Sequence, residues 1–349
     1  MNGIAIVKVR NMTEETRNDS AEAHSPAQSA RAGLLWGTYL VVSTLIMALL
    51  LSQIASAATP SAQSTAPASR NGTTSFPFGA QPSVAARAAF LFDADTGLIL
   101  YSKDASEKLP QASCTKIMTA LIALERLPLN QIITVGADAH ALVNLDSSYM
   151  GLSTGEKLTL RDLLYGLVLP SGNDAAVAIA DGVAGSVPAF VALMNQRAQQ
   201  LGLTHTHFEN PHGLNASGHY TSAHDLALLS AFALRNSTFR KVVSTRRYNI
   251  PATSAHKGYQ LVSGNDLLGG ALSPYPGAIG VKPGYTGLAG FCMAFAAIRH
   301  GHMIVGAVLR DPSWRVRIVD MRALLDWGFQ QEGLPPAPLP TPWTHAPNI

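Results

Sequence analysis

A serine hydroxyl and a lysine amine stand three residues apart in the segment Ser-Cys-Thr-Lys, at Ser113 and Lys116. If this segment opens a helix, residues three apart lie on one face, so the amine can reach the hydroxyl. The positive end of the helix dipole favours the serine oxygen as a nucleophile, and a lysine desolvated among apolar neighbours can lose its proton and act as a base. The apolar stretch from Ile117 to Ile122 predicts such a desolvated setting. The pair is therefore a candidate nucleophile and general base.

Two further polar segments could complete such a site. Ser171 and Asn173 lie in a Ser-Gly-Asn segment between two strongly apolar stretches. A helix N-cap would explain Ser171 but not the second polar side chain two residues later. The third segment, Lys-Pro-Gly-Tyr-Thr-Gly, begins at Lys282 and closes a strand-like run. Each segment is weak evidence by itself, because Ser-x-x-Lys and Lys-x-Gly occur by chance in many chains of this length.

Taken together, in this order and spacing, the three segments resemble the penicillin-binding, active-site-serine peptidases, and in particular the D-alanyl-D-alanine carboxypeptidases of peptidoglycan metabolism. The resemblance covers nearly the whole region expected to fold and extends to the segments LGLTHTHFENPHGL, TSAHDLALL and LLDWGF. It implies a mixed α/β (α+β) fold of the β-lactamase and transpeptidase type. In that fold an antiparallel sheet is flanked by helices and carries an inserted helical lobe.

The resemblance also implies a role for each candidate residue. Ser113 would attack the peptide carbonyl between the two terminal D-alanines of a stem pentapeptide, with Lys116 as general base and Ser171 as proton relay. The backbone N–H groups of Ser113 and Tyr285 would hold the oxyanion. The implied substrate-binding residues are Asn173, Lys282, Gly284, Tyr285, Thr286 and Arg317. Water would hydrolyse the acyl-enzyme, β-lactams would acylate the same serine, and neither a metal nor another cofactor would take part.

The sequence departs from the family pattern at Pro283, where the family usually has threonine or serine. Proline offers no hydroxyl to the substrate carboxylate and no N–H to a sheet. Thr286 could compensate in part, and proline is tolerated where its missing N–H would face outward on an edge strand. We therefore expect a weaker hold on the carboxylate, with the nucleophile, base and relay intact.

Hydrophobic periodicity and cap residues predict a mostly helical middle between strands. A hairpin is expected around the Asp-Ala-Asp-Thr-Gly turn, followed by a helix from Cys114 to Arg126. Three more helices are expected, with Thr159 and Ser171 as N-caps of two and Pro188 opening the third, which ends near Gly202. The later segments are a helix from Ser222 to Leu234, strand-like runs at KVVSTRRYNI, AIGVK, GFCMAFAAIR and HMIVGAVL, and a helix from about Trp314 to Phe329. Strands at both ends imply one antiparallel sheet assembled from distant segments.

The N-terminal part of the chain predicts export. Basic residues precede an apolar run from Leu34 to Leu51, which indicates an extracytoplasmic location, in the cell wall or periplasm, for the remainder of the chain. The Ala-Ser-Ala segment before Ala58 suits signal cleavage, whereas 18 apolar residues are long enough for an uncleaved membrane anchor, and both forms stay open. The expected divisions are a cytoplasmic lead with signal or anchor at 1–57, a disordered Ser/Thr/Pro-rich linker at 58–82, the catalytic domain at 83–331 and a Pro-rich tail at 332–349.

Composition excludes several classes of protein. The 349 residues are 47% hydrophobic with a formal charge of +3, which excludes a disordered chain and gives no support for nucleic-acid binding. Two cysteines, Cys114 and Cys292, exclude a four-cysteine zinc site and leave one optional disulfide, and we interpret them as small apolar residues. The histidines between His205 and His224 lack a carboxylate or cysteine partner at metal-ligand spacing, which favours loop and cap roles.

Other functions stay open beside the carboxypeptidase. A serine β-lactamase of the same fold would need a base for deacylation, and the lack of a Glu-x-x-Leu-Asn segment disfavours it. A cell-wall protein that captures penicillin without turnover is another alternative, with Pro283 marking a decayed site. A cysteine nucleophile is disfavoured because Cys114 should point away from Ser113 on the helix.

Overall fold

This computed structural model describes residues 80–143, 147–269 and 274–338. The predicted leader, nearly all of the predicted linker and the end of the predicted tail lie outside the described residues. The division of the chain into leader, linker, catalytic domain and tail stays a prediction.

A five-stranded antiparallel sheet forms the centre of the fold. Its strands are β1 (Ala88–Asp93), β2 (Ile99–Lys103), β7 (Ala278–Thr286), β8 (Gly290–Arg299) and β9 (His302–Asp311). The strand order is β2-β1-β9-β8-β7. Strand β1 pairs with β9 from the far end of the chain, with Phe90 opposite Ala307. The sheet assembled from distant segments is therefore confirmed, and β7 lies at one of its edges.

Helices cover both faces of the sheet and build a lobe beside it. They are α1 (Lys116–Arg126), α2 (Ala137–His140), α3 (Leu160–Val168), α4 (Asn173–Ala184), α5 (Val187–Gln200), α6 (Ala223–Leu234), α7 (Ser237–Val243) and α8 (Trp314–Gln331). Two short ladders pair β3 (Ile132–Thr134) with β4 (Lys157–Thr159) and β5 (Arg247–Ile250) with β6 (Tyr259–Val262). Short 3-10 turns lie at Ala112–Thr115 and Asp266–Leu268.

Neighbouring residues of β1 pack into two separate cores. Phe90 belongs to the larger core, which joins the sheet to α1, α3, α4 and α6, whereas Leu91 belongs to the smaller core under α8. Successive side chains of a strand point to opposite faces, so one strand supplies both layers. Because both faces are covered, β1 is buried throughout and apolar up to Asp93, and most of β8 is apolar and buried. The larger core packs α1 against α4, which brings the segments carrying Ser113 and Asn173 together.

Two cap predictions are confirmed, those for Thr159 and Gly202. The Thr159 hydroxyl accepts a hydrogen bond from the Asp162 N–H at the start of α3. Ser222, predicted only as the first residue of a helix, caps α6 by accepting from the Asp225 N–H. Gly202 follows α5 with φ of +70°, a left-handed conformation that glycine adopts without strain. These local signals depend on a few neighbouring residues, which explains why the sequence shows them.

Two local predictions are wrong. Ser171 does not cap α4, because Gly172 occupies the N-cap position and the Ser171 hydroxyl makes no cap hydrogen bond. The run KVVSTRRYNI is a strand only from Arg247, since its first residues end α7. The Asn236 side chain caps that helix by accepting from the N–H groups of Thr238 and Phe239, and this cap lies before the run that suggested a strand.

Among the helices described, none is by itself long and apolar enough to cross a membrane. The consecutive helices α4 and α5 together have the length and apolar composition of a membrane span, but the chain bends by 85° between them. The apolar run at Leu34–Leu51, on which the export prediction rests, lies outside the described residues.

Candidate active site

A cleft of about 1100 Å³ runs between the edge strand β7 and the helical lobe. It is lined by eight of the predicted site residues, namely Ser113, Ser171, Asn173, Lys282, Gly284, Tyr285, Thr286 and Arg317. The ninth, Lys116, is fully buried and contacts Ser113 and Asn173. The structure therefore gathers all nine candidates at one place.

Ser113, the candidate nucleophile, lies in a 3-10 turn that is braced from outside the turn. Thr115 donates its hydroxyl proton to the Ala112 carbonyl at 2.8 Å, and its oxygen lies 2.7 Å from His219 Nε2. Because His219 Nδ1 accepts from the Glu209 N–H, its proton is on Nε2 and points at Thr115. Burial lowers the pKa of His219 to about 4, which keeps the ring neutral. This residue was interpreted as a loop or cap histidine, and no spacing in the sequence links it to Thr115.

Lys116 Nζ has three hydrogen-bonding neighbours, of which Ser113 can exchange a proton with it. It lies 2.9 Å from Ser113 Oγ, 2.7 Å from Asn173 Oδ1 and 2.7 Å from the His212 carbonyl oxygen. The Asn173 and His212 oxygens can only accept hydrogen bonds. A neutral amine therefore donates its two protons to them, and its lone pair faces Ser113. A hydroxyl can donate to that lone pair. The same three contacts suit the protonated amine, so the site accommodates the lysine before and after it takes the serine proton.

Burial controls the charge of the two site lysines. The desolvation of Lys116, together with the nearby charge of Lys282, holds the pKa of Lys116 well below its usual value. Burial also lowers the pKa of Lys282, to about 8. A base needs to be neutral to take a proton, and the lowered pKa of Lys116 favours that form. Lys282 still carries its charge at neutral pH.

Glycines allow the backbone to approach Ser113 from two sides. Gly213 has φ of +96°, and a Cβ there would lie 2.0 Å from the Ala112 carbonyl oxygen. A Cβ on Gly284 would lie 2.9 Å from the Ser113 backbone nitrogen. Gly284 was predicted to belong to the site, whereas Gly213 was not, because its partner is a backbone atom about 100 residues away. The close approach also brings the His212 carbonyl to Lys116.

Ser171 is held in a strained conformation with its hydroxyl buried. Its φ is +64°, in the left-handed region that non-glycine residues rarely adopt, and its Oγ has no hydrogen-bond partner within the described residues. Strain and an unpaired buried polar atom concentrate at functional sites. The following segment is fixed by Asp174, whose carboxylate accepts from the N–H groups of Met150, Gly151 and Leu152. Asp174 was not singled out in the sequence.

The end of β7 brings the third segment to the cleft. Pro283 lies on an edge strand, which is where a proline is tolerated in a sheet. The Lys282 amine donates to the Pro283 carbonyl at 3.1 Å. The Thr286 hydroxyl donates to Asn215 Oδ1 at 2.8 Å and accepts from the Ala289 N–H. Thr286 was expected to compensate for the hydroxyl missing at Pro283, but it is already hydrogen-bonded.

Arg317 reaches the cleft from α8. Its Nη2 donates to Asp266 Oδ2 at 2.6 Å and its Nη1 donates to the Cys292 carbonyl at 3.2 Å. Arg315, two residues earlier on α8, lies over the Trp314 ring and is not among the residues that line the cleft. The choice of Arg317 is thus supported, but its pairing with Asp266 had no signal in the sequence.

Both cysteines are buried free thiols. Cys114 points away from the cleft and donates its thiol proton to the Lys282 carbonyl at 3.3 Å. Burial raises the pKa of Cys114 to about 11, which keeps it a thiol at neutral pH. An uncharged, enclosed thiol is a poor nucleophile, so Ser113 is the stronger candidate.

One group in the described part of the chain brings three possible metal-ligand atoms within 4.8 Å of one another: Asp93, His302 and Glu332. None of these residues lines the cleft. The histidines between His205 and His224 form no such group among the described residues.

Comparison with known proteins gives consistent matches. A family model described as D-alanyl-D-alanine carboxypeptidase matches residues 77–313. D-alanyl-D-alanine carboxypeptidase DacF of Bacillus subtilis is 36% identical over 249 residues, which cover 70% of this chain and 62% of that protein. The D-alanyl-D-alanine carboxypeptidase of Streptomyces sp. strain K15 is 36% identical over 258 residues, 71% of this chain and 89% of that one. The match therefore spans less than two thirds of the Bacillus protein and most of the Streptomyces one.

A solved structure matches the described fold. The crystal structure of the Streptomyces K15 DD-transpeptidase superposes with a TM-score of 0.68 at 35% sequence identity. The superposition covers 72% of this chain and 100% of that chain. The transpeptidase-like fold predicted from the sequence is confirmed.

Proposed function

Because the chain belongs to the D-alanyl-D-alanine carboxypeptidase family, we propose that it removes the terminal D-alanine from peptidoglycan stem pentapeptides through an acyl-enzyme on Ser113. The single observation that best supports this is the position of Lys116 Nζ, 2.9 Å from Ser113 Oγ, with its other two contacts made to acceptors. A hydrolase that works through a serine needs a base at that distance.

In the acylation step, Lys116 takes the Ser113 proton as the serine oxygen forms a bond to the carbonyl carbon of the penultimate D-alanine. The oxyanion lies near the N–H groups of Ser113 and Tyr285, where donors aimed at the developing charge lower the barrier. The C–N bond then breaks, and the departing D-alanine amine takes a proton through Ser171. Ser171 lines the cleft, and its buried hydroxyl has no hydrogen-bond partner within the described residues, which supports this relay.

The remaining residues bind and orient the substrate. Asn173 holds Lys116 through its Oδ1, so its amide nitrogen stays available for a substrate carbonyl. Lys282 places a positive charge beside the reacting groups, and Gly284 lets β7 run close to Ser113. Water finally attacks the acyl carbon, which returns Ser113 to its free state and releases the shortened stem peptide.

The partners and location follow from this reaction. The substrate is a peptidoglycan stem ending in D-Ala-D-Ala, and β-lactams, which acylate such serines, are the expected covalent inhibitors. Peptidoglycan lies outside the cytoplasmic membrane, so the catalytic region acts in the cell wall or periplasm. The N-terminal segment delivers it there, either as a cleaved signal or as a membrane tether, and nucleic acid has no part in the proposal.

The function is tested by measuring D-alanine release from a stem pentapeptide by the full-length chain. We expect release by the wild type and a fall on the order of 10⁴-fold or more in Ser113→Ala, since removal of a catalytic nucleophile has effects of this size. Ser106→Ala, an exposed serine outside the cleft, is the matched control and should retain wild-type activity. Release that persists in Ser113→Ala contradicts the proposal. A wild type that captures penicillin yet releases no D-alanine would instead be a non-turnover wall protein.

Lys282 should set an upper pH limit on the reaction. Its charge is present below its pKa of about 8 and is lost as the pH rises through that value. We therefore expect kcat/KM for D-alanine release to fall above pH 8, whereas Lys116, with a pKa well below its usual value, controls the rise at lower pH. Lys282→Arg keeps the charge, so its falling limb should move to higher pH even if its maximum rate is lower. A falling limb at the same pH in this variant would assign it to another group.

A further inference from the structure

The cleft arginine already holds a carboxylate from its own chain. The Arg317 side chain is 7% exposed, and its Nη2 lies 2.6 Å from Asp266 Oδ2. Its Nη1 is used by the Cys292 carbonyl, and its Nε has no partner within the described residues. A substrate carboxylate arriving at Arg317 thus meets an ion pair and not a free cation.

Asp266 is held in this place by its turn. It opens the 3-10 turn Asp266–Leu268, whose other residues are buried, and Asn265 caps the turn by accepting from the Leu267 N–H. The Asp266 side chain is only 22% exposed. Since its backbone is anchored on both sides, its carboxylate stays beside Arg317 at little further cost in conformational entropy.

Asp311, another carboxyl near the guanidinium, does not replace Asp266 as its counter-ion. Burial and the adjacent Asp320 raise the pKa of Asp311 to about 8, so that this carboxyl is mostly uncharged at neutral pH. Asp266 therefore supplies the negative charge that compensates Arg317. Of the two cations that line the cleft, only Lys282 has no carboxylate of the described residues within ion-pair distance.

The other two residues expected to bind the substrate carboxylate have no free donor for it. Pro283 has neither a hydroxyl nor an N–H to donate, and the Thr286 hydroxyl donates to Asn215. The site thus contains the parts of a carboxylate subsite, but its strongest donor is satisfied internally. A hydrogen bond between a guanidinium and a carboxylate is stronger than one between neutral groups. The pairing of Arg317 with Asp266 therefore affects how well Arg317 can bind a substrate carboxylate.

We propose that Asp266 is a specificity-determining residue, which by pairing with Arg317 reduces the enzyme's requirement for a free carboxylate on the leaving residue. This rests on the proposed function, in which Arg317 binds that carboxylate. The site then accepts peptides whose residue after the scissile bond is amidated or continues as a peptide. The chemistry is unchanged: the same C–N bond breaks, the Ser113 ester forms, and the leaving amine takes the proton.

The test compares two peptides that differ only at the last carboxyl, D-Ala-D-Ala and D-Ala-D-Ala-amide, by kcat/KM with the full-length chain. For the wild type we expect the free acid to be preferred by no more than about tenfold, because Lys282 alone still favours it. Asp266→Asn keeps the shape and removes the charge. It should raise kcat/KM for the acid about tenfold while the amide stays within about twofold. The matched control Asp104→Asn removes an exposed charge outside the cleft and should change neither.

A double-variant cycle separates this role from a structural one. In an Arg317→Gln background, Asp266→Asn should no longer change the preference, because the group that it releases is gone. The proposal is overturned if Asp266→Asn lowers activity on the acid, which would make Asp266 an orienting residue, or if it changes acid and amide equally.

A second readout keeps the two proposals distinguishable. The rate of Ser113 acylation by benzylpenicillin, which carries a carboxylate, does not require turnover, and it should rise about tenfold in Asp266→Asn. If no peptide is cleaved but this rate rises, the proposed function fails and the role of Asp266 stands. If peptides are cleaved and neither their ratio nor the acylation rate responds, the role of Asp266 alone fails.

Discussion

Lys116→Met should lower the rate of Ser113 acylation, by peptide or by penicillin, by about 10³- to 10⁴-fold. The amine nitrogen 2.9 Å from Ser113 Oγ is the only base in contact with that hydroxyl among the described residues, so its loss leaves the serine proton without an acceptor. The measurement is the second-order rate constant of penicillin acylation, followed by intact-protein mass. The substitution leaves Asn173 Oδ1 and the His212 carbonyl without this donor, so some loss in the free energy of unfolding is expected, and chemical denaturation measures it beside the acylation rate.

Two variants control this result. Lys116→Arg places a permanently protonated group at this position, so it should be as inactive as the methionine variant if Lys116 acts as a base. Lys241→Met removes an exposed lysine on α7 and should leave the rate unchanged. An arginine variant with substantial activity would show that Lys116 contributes charge and not proton transfer.

Gly213→Ala should disable the site through the backbone alone. A Cβ at this position would lie 2.0 Å from the Ala112 carbonyl oxygen, and φ of +96° is itself strained for alanine. Either the Ser113 turn or the loop carrying His212 has to move, and the contact between Lys116 and the His212 carbonyl is then lost. We expect the free energy of unfolding to fall by more than about 2 kcal/mol and acylation to slow by at least about 100-fold.

The matched control is Gly97→Ala in the β1–β2 hairpin. Gly97 has φ of +76°, but a Cβ there would meet no atom within 4 Å, so it isolates the conformational part of the cost. This variant should lose about 1 kcal/mol of stability and keep its activity. If the two glycine variants lost the same stability and had the same acylation rate, the close approach of Gly213 to Ala112 would not be what positions Ser113 and Lys116.

The parts of the site that the sequence predicted are those carried by local spacing or by the family resemblance. Ser113 and Lys116 are three residues apart, so helix geometry alone brings them together. Asn173 came from the resemblance, and the packing of α1 against α4 explains why it reaches Lys116. The sheet from distant segments could be predicted because apolar runs mark strands that are covered on both faces.

The parts that the sequence did not predict depend on long-range contacts without a residue signature. The third neighbour of Lys116 is the carbonyl of His212, and any residue at that position offers one. His219 braces Thr115 across 104 positions, and Asp266 reaches Arg317 across 51. Such pairs form only when the tertiary fold is complete.

The prediction that Ser171 caps α4 was wrong for a related reason. A serine before a helix is a good N-cap in isolation, yet the chain here turns through a left-handed residue, and Gly172 takes the cap position. The close packing of Gly172 against the Gly166 carbonyl and the Asp174 side chain favours a glycine there. The result frees the Ser171 hydroxyl from the helix and leaves it on the cleft.

If Ser113 is the nucleophile, benzylpenicillin attaches to its side-chain oxygen, and the site of attachment can be located directly. The full-length chain is incubated with benzylpenicillin, digested, and the modified peptide is sequenced by mass spectrometry. We predict one adduct, on Ser113, that is absent from Ser113→Ala and formed far more slowly by Lys116→Met. An adduct on Ser171, or no adduct on a folded wild-type protein, would contradict the assignment of Ser113 as the nucleophile.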